Sequence, residues 1–263
     1  MSTEELAQCS TDSPDAVLSC ILDMGELLLT GGGEVFRVED TLSRLCTAYG
    51  FQKINVFSIT SSIVLTAECP DGKILTQTRR IVTRGTNLQR VAQVNALSRQ
   101  LCVRPVSVAE FQKKLEDIRQ ERTYSKPVMA MGYALISCVF AVFFGGSWLD
   151  GFASAISGLV VFFAQQLIGR LRMNNLLENL LVSAFTALAV VLLVRLGIGH
   201  SPAKITIGNI MLLIPGIAFT TSLRDMINGD TISGLIGISE AVIKAIAIAI
   251  GFALVLVQMG GAL

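Results

Sequence analysis

Hydrophobic positions change character along this chain. Val17, Ile21, Leu28 and Leu29 share a face at helical spacing, and Val35, Val38, Leu42, Leu45 and Tyr49 follow a pattern that predicts a second amphipathic helix. Thr30 to Gly33 breaks the two apart. After Gly50 the period shortens: residues 53–60, 63–69 and 73–79 are rich in Ile, Val, Thr and Phe, and Pro70-Asp71-Gly72 supplies a turn, which predicts a small antiparallel meander. Helical spacing returns at Leu88, Val91, Val94, Leu97 and Leu101, and again at Val108, Phe111, Leu115 and Ile118 after Pro105.

From residue 127 the pattern becomes a series of apolar runs, 127–145, 149–168, 180–196, 205–223 and 232–257. Each is close to the roughly 20 residues that a helix needs to cross the hydrocarbon core. The expected fold class is an α-helical membrane protein, with a flexible N-terminus over residues 1–14, a cytoplasmic α+β domain over 15–126 and a transmembrane domain of five helices over 127–263.

Charge sharpens the boundary. Residues 1–126 hold 30 of the 41 Asp, Glu, Lys and Arg, and residues 127–263 hold the other 11. Hydrophobic residues make up 52% and charged residues 16%, with a mean hydropathy of +0.62, beyond globular norms. The polar, acidic first 16 residues lack a basic n-region, so no signal peptide is expected and the N-terminus is placed in the cytoplasm. Basic residues fit that side: Lys113, Lys114, Arg119, Arg122 and Lys126 precede the first run, Arg170 and Arg172 follow the second, and Arg224 follows the fourth. The opposite side has the base-free 145–150 segment, a loop with Arg195 and Lys204, and the uncharged tail 260–263.

Candidate chemistry is sparse. Cys9, Cys20, Cys46, Cys69, Cys102 and Cys138 show no CxxC spacing, and no disulfide is expected. His200 is the only histidine, which leaves a metal or haem site built on several His without ligands, and neither a metal nor a cofactor is expected. A net charge of +1 gives no case for nucleic acid. Gly31-Gly32-Gly33 before a helix suits an anion cradle or a plain turn; no Gly-Lys-Ser/Thr follows, and Glu34 would repel a phosphate. Glu34, Arg37, Glu39, Asp40 and Arg44 read either as carboxylates for acid/base work or as a solvated face of ion pairs.

In the membrane half, Pro215-Gly216 breaks the fourth run and frees backbone carbonyls, which suits a midplane substrate site or a packing kink. Asn209, Thr220 and Ser222 offer hydrogen bonds along the same run, and Gln165 lies near the end of the second. Arg224, Asp225, Asn228, Gly229 and Asp230 form a polar turn beyond the break, a gate or an interfacial loop. Glu240 and Lys244 lie one helical turn apart and are able to pair, lining a path or snorkelling to the interface. Gly237, Ala241, Ala245, Ala249 and Ala253 form a small-residue stripe that admits a close neighbour.

The chain resembles the threonine/serine exporter family of bacterial inner-membrane proteins. The resemblance rests on Gly33-Glu34 with Arg37-Val38-Glu39-Asp40-Thr41, on Arg84-Gly85-Thr86-Asn87 leading to Val94-Asn95-Ala96-Leu97-Ser98, and on Ile214-Pro215-Gly216 followed by Arg224-Asp225. It implies gradient-driven export of small polar metabolites such as threonine or serine, and not an enzyme. It also implies that a chain of this length works with a separate membrane subunit of about five further spans, hence about 150 residues, or as an oligomer. Some split systems of this kind resemble dicarboxylate exporters. A membrane-anchored, hydrolase-like enzyme and a non-catalytic scaffold are the readings from other classes.

Overall fold

In the computed structural model, residues 12–83, 85–121, 124–171 and 173–260 are described. Arg84, Arg122, Arg172, Cys9, the first eleven residues and the 261–263 tail, all part of the expectations above, lie outside them. The chain divides into two compact units. One takes in the described residues of Met1–Arg122 together with Ile217–Ile238; the other comprises Thr123–Gly216 and Ser239–Leu263, again over its described residues. Residues 217–238 cluster with the N-terminal part.

The first unit is built on α1 (Pro14–Thr30), which starts on the N-cap Ser13 with Pro14 in its first turn and buries Leu18, Ile21, Leu22 and Leu29 completely. Against it lie α2 (Val35–Ala48), whose Val35, Val38, Leu42 and Leu45 are fully buried, and a sheet of β1 (Gln52–Ile59), β2 (Ser62–Glu68) and β3 (Ile74–Arg80). The sheet is an antiparallel meander in the order β1-β2-β3. Its central strand alternates Ile63, Leu65 and Ala67 into the core, the period-two pattern of a sheet with one covered face. Helices α3 (Leu88–Val103) and α4 (Val108–Gln120) complete the core with Val94, Leu101 and Phe111.

The second unit contains α5 (Lys126–Phe143), α6 (Trp148–Ile168), a short 3-10 turn at Gly169–Leu171, α7 (Asn175–Arg195) and α8 (Pro202–Leu213). The apolar run after residue 201 is split at Ile214-Pro215, and α9 (Gly216–Ile227) continues it; α10 (Thr231–Gly260) is a single long helix. Among the described residues four helices are long and apolar enough to span a membrane, or five if the split pair counts as one. Glycines set the packing of this unit: a Cβ on Gly208 would lie 2.5 Å from the Ser137 carbonyl, and one on Gly158 2.9 Å from the Tyr133 carbonyl. Small residues at helix crossings are how apolar helices gain contact where no hydrophobic drive separates protein from lipid.

Candidate functional site

Three stretches distant in sequence meet at one corner of the first unit. The first is the turn Gly31-Gly32-Gly33. Gly33 N–H donates to the Leu28 carbonyl at 2.8 Å, and Gly32 adopts φ +90, a left-handed conformation that favours glycine. The second stretch, Gly85 to Asn87, lies directly on that turn: Gly85 N–H donates to the Thr30 carbonyl at 3.0 Å and Asn87 N–H to the Gly31 carbonyl at 2.8 Å. A Cβ on Gly32 would come within 2.9 Å of the Gly85 carbonyl, so the approach requires the glycine. Asn87 then caps α3 by accepting from Arg90 N–H at 3.0 Å, and Asn95, one face further on, is half-buried with its carbonyl accepting from Ser98 Oγ.

The third stretch is Arg224 to Asp230. Helix α2 opens at Glu34, which makes no side-chain cap of its own. Instead Asp225 Oδ1 accepts from Val35 N–H at 3.0 Å, across 190 residues of sequence. An anion on a helix N-terminus is favourable, and here the anion is the protein's own carboxylate. Glu34, only 8% exposed, accepts from Arg224 Nη1 and pairs with Arg37 Nε at 3.0 Å. The cradle considered for a phosphate thus holds Asp225 at its helix end, and Glu34 is clamped between two guanidinium groups. We refer to the Glu34–Arg224 and Val35–Asp225 contacts as the latch.

Two further carboxyls flank it. Glu39 Oε1 accepts from Ser58 N–H at 2.6 Å and from Ser58 Oγ at 3.1 Å. Burial pushes the Glu39 carboxyl above the usual range, opposed by the Ser58 bonds and assisted by the negative charge of Asp230. Asp230 is raised as well, by burial, and its Oδ2 is buried with no hydrogen-bond partner among the described residues. Its N–H donates to the Asp225 carbonyl at 2.9 Å, which ties it to the latch, and Gly229 at φ +104 makes the turn between them. The solvated-face reading of the α2 charges holds for the Asp40–Arg44 pair, whereas Glu34 and Glu39 turn inward.

The remaining membrane-half candidates separate into different environments. In the first unit, Ser222 is buried where a Cβ on Gly237 would meet its Oγ, and Thr220 is exposed. In the second unit, Asn209 is fully buried. Its Nδ2 donates to Ser157 Oγ at 2.7 Å and to the Ile205 carbonyl at 2.8 Å, and its Oδ1 accepts from Ser137 Oγ at 2.9 Å. Ser137 and Ser154 hydroxyls meet at 2.7 Å, which closes a neutral clasp joining α5, α6 and α8. These partners take up both Nδ2 hydrogens of Asn209 and one acceptor position of its Oδ1. Gln165 accepts from the Tyr133 hydroxyl at 2.7 Å, Pro215 is half-buried, and Gly216 is exposed. Glu240 is exposed and Lys244 half-buried, and no ion pair joins them.

Asp150 went unread in the sequence. It is 3% exposed and accepts from Ser147 N–H and Oγ, His200 N–H at 2.7 Å and Ser201 N–H at 2.8 Å, fixing the 197–201 loop on the start of α6. The Ser147-x-x-Asp150 spacing of a capping box was the available signal. No cluster able to hold a metal occurs among the described residues.

Comparison with known proteins places this architecture. The family model described as "Putative threonine/serine exporter" (ThrE) matches residues 19–259. The chain is 24% identical over 252 residues to the "Probable succinate transporter subunit YjjP" of Escherichia coli (strain K12), covering 95% of this chain and 97% of that protein. A protein of the same description from Klebsiella aerogenes is 24% identical over 96% of this chain and 98% of its own. The threonine/serine exporter of Corynebacterium glutamicum is 24% identical over 82% of this chain but only 46% of its own length. No solved structure matches the chain.

Proposed function

This chain belongs to the threonine/serine exporter family, and we propose that it is one subunit of a gradient-driven exporter of small carboxylate metabolites, in which the latch sets the position of the segment beyond the broken helix. The observation that carries this reading is the meeting of Glu34 and Val35 with Arg224 and Asp225, contacts made across 190 residues. The latched residues begin eight positions after Gly216, where a helix restarted behind a proline leaves backbone groups available to a polar solute. A charged clamp on that segment gives the chain a part able to hold or release it.

Two substrate classes share the carboxylate. Dicarboxylates of the succinate type come first, because relatives named for succinate transport align with this chain over nearly their whole length. Threonine and serine come second, on the family model and on the Corynebacterium relative, of which the chain spans under half. That partial span supports a second membrane subunit of about five further spans, or about 150 residues, supplying what this chain does not cover. In this reading the N-terminal unit faces the cytoplasm of a bacterium; Thr220, Ser222, Asp225 and Asp230 of the first unit and, separately, Gln165, Asn209, Glu240 and Lys244 of the second are the candidate polar groups for transport.

The test is transport in proteoliposomes that hold this chain and its membrane partner, loaded with labelled succinate or threonine and exposed to a pH gradient. The reading expects gradient-dependent efflux of one of the two, lost in Arg224→Ala. Efflux in Arg224→Ala equal to wild type would remove the latch from the mechanism, and no efflux of either solute would remove the substrate assignment.

A further inference from the structure

A cavity of about 810 Å³ opens in the first unit where α3 gives way to α4, on elements that take no part in the latch. Its lining carries three cations, Arg99, Arg104 and Lys114, against one carboxylate, Glu110. Apolar surface lies beside that charge: Val106 is half-buried, and Val103 is 86% exposed, a side chain that the fold leaves uncovered. Arg99 and Val103 sit one turn apart on α3 and so share a face. A space of this size that joins apolar wall to a few convergent charged groups has the make-up of a small-molecule site.

The cavity is also built to keep its shape. Lys114 Nζ is held by Glu110 Oε1 at 2.8 Å, one turn back on α4. Arg104 closes α3, its N–H donating to the Gln100 carbonyl at 2.8 Å. The connection between the helices is gripped by Tyr49, the residue after α2: its hydroxyl donates to the Val106 carbonyl and accepts from Val106 N–H, each at 3.2 Å, and its ring stacks on Phe111 with centroids 6.0 Å apart. A wall fixed in this way needs little reordering when a ligand arrives. The start of α4 is already served, because Asp12 Oδ2 accepts from Val108 N–H at 2.7 Å. Attraction for a ligand therefore falls to the side chains and not to the helix end.

We propose that this cavity binds a small organic polyanion, a di- or tricarboxylate or a phosphorylated metabolite, and gives the first unit a ligand of its own. The anionic groups meet Arg99, Arg104 and Lys114, and the carbon skeleton rests on Val103 and Val106. A bound polyanion bridges α3 and α4, whichever solute the chain helps to carry.

Titration calorimetry of the full-length chain in detergent tests it, with citrate and pyrophosphate as probes. At least one is expected to bind, and more weakly as salt rises from about 0.05 to about 0.3 M. Arg99→Glu, at an exposed position, and Lys114→Glu are each expected to weaken binding by roughly tenfold or more, whereas Arg80→Glu, exposed on the edge strand β3, is expected to leave it unchanged. Failure of both probes to bind would overturn the proposal, as would an affinity untouched by Arg99→Glu and Lys114→Glu or one lowered equally by Arg80→Glu. Binding of dihexanoyl phosphatidic acid with neither citrate nor pyrophosphate would assign the cavity to lipid headgroups and overturn the soluble ligand.

Discussion

The two units hold their helices together by opposite means. In the second, the Ser137, Ser154, Ser157 and Asn209 clasp is neutral and short, and it closes over Gly208 at a distance that leaves no room for a methyl group. In the first, the 217–230 segment is held by carboxylates, guanidinium groups and a helix N-terminus, and one carboxylate oxygen has no hydrogen-bond partner among the described residues. Neutral hydrogen bonds buried among apolar helices do not respond to pH or salt, whereas a partly exposed charge network does. The difference assigns the clasp to framework and the latch to motion.

The sharpest way to break that contrast is to disturb the framework. Gly208→Leu drives a side chain into the Ser137 carbonyl and Ser154 hydroxyl, where backbone cannot yield, and is expected to abolish recovery of folded protein in size-exclusion chromatography. Asn209→Leu removes the amide that donates to Ser157 Oγ and the Ile205 carbonyl and accepts from Ser137 Oγ, and is expected to cost about 1–2 kcal/mol in thermal or denaturant unfolding, equally at pH 6 and pH 8. Asp225→Ala uncaps α2 and is expected to cost about 0.5–2 kcal/mol in the same measurement. A penalty at Asn209 that changes with pH would erase the distinction. Glu240→Gln, at an exposed position with no ion pair, is expected to leave stability unchanged and to act only on gradient coupling in transport. Coupling equal to wild type would remove Glu240 from the path. The smallest effect concerns Cys46, whose thiol is pushed up to about 12 by burial in the α2 core: alkylation at pH 8 is expected to leave it unmodified in folded protein.

Much of the framework was legible in the sequence. Heptad-like and alternating patterns are local, so α2, the meander and the apolar helices follow from residues within a few positions of one another, and the three strands fall within a residue of their expected limits at most ends. The Pro215-Gly216 break was legible for the same reason, since proline acts on its own helix. The latch was not. Glu34 and Arg37 fit a surface ion pair by spacing, and only the fold shows that Arg224 completes the site from 190 residues away. Asn209 was open in another way: a polar residue in an apolar run signals a function as readily as it signals a clasp, and its partners Ser137 and Ser157 lie on helices distant in sequence. Glu240 and Lys244 had the right spacing, yet spacing on a helix permits a contact without requiring it.

The capping of α2 by Asp225 also bears on the order of synthesis. The helix emerges from the ribosome almost two hundred residues before the carboxylate that caps it, and residues 217–238 belong to the same compact unit. Until that segment has been made, Val35 lacks its acceptor and Glu34 lacks its second guanidinium group. The unit whose chain begins first is consequently finished only after four further helices have been translated, so a truncated or stalled product carries an incomplete N-terminal unit that quality-control proteases are able to recognise.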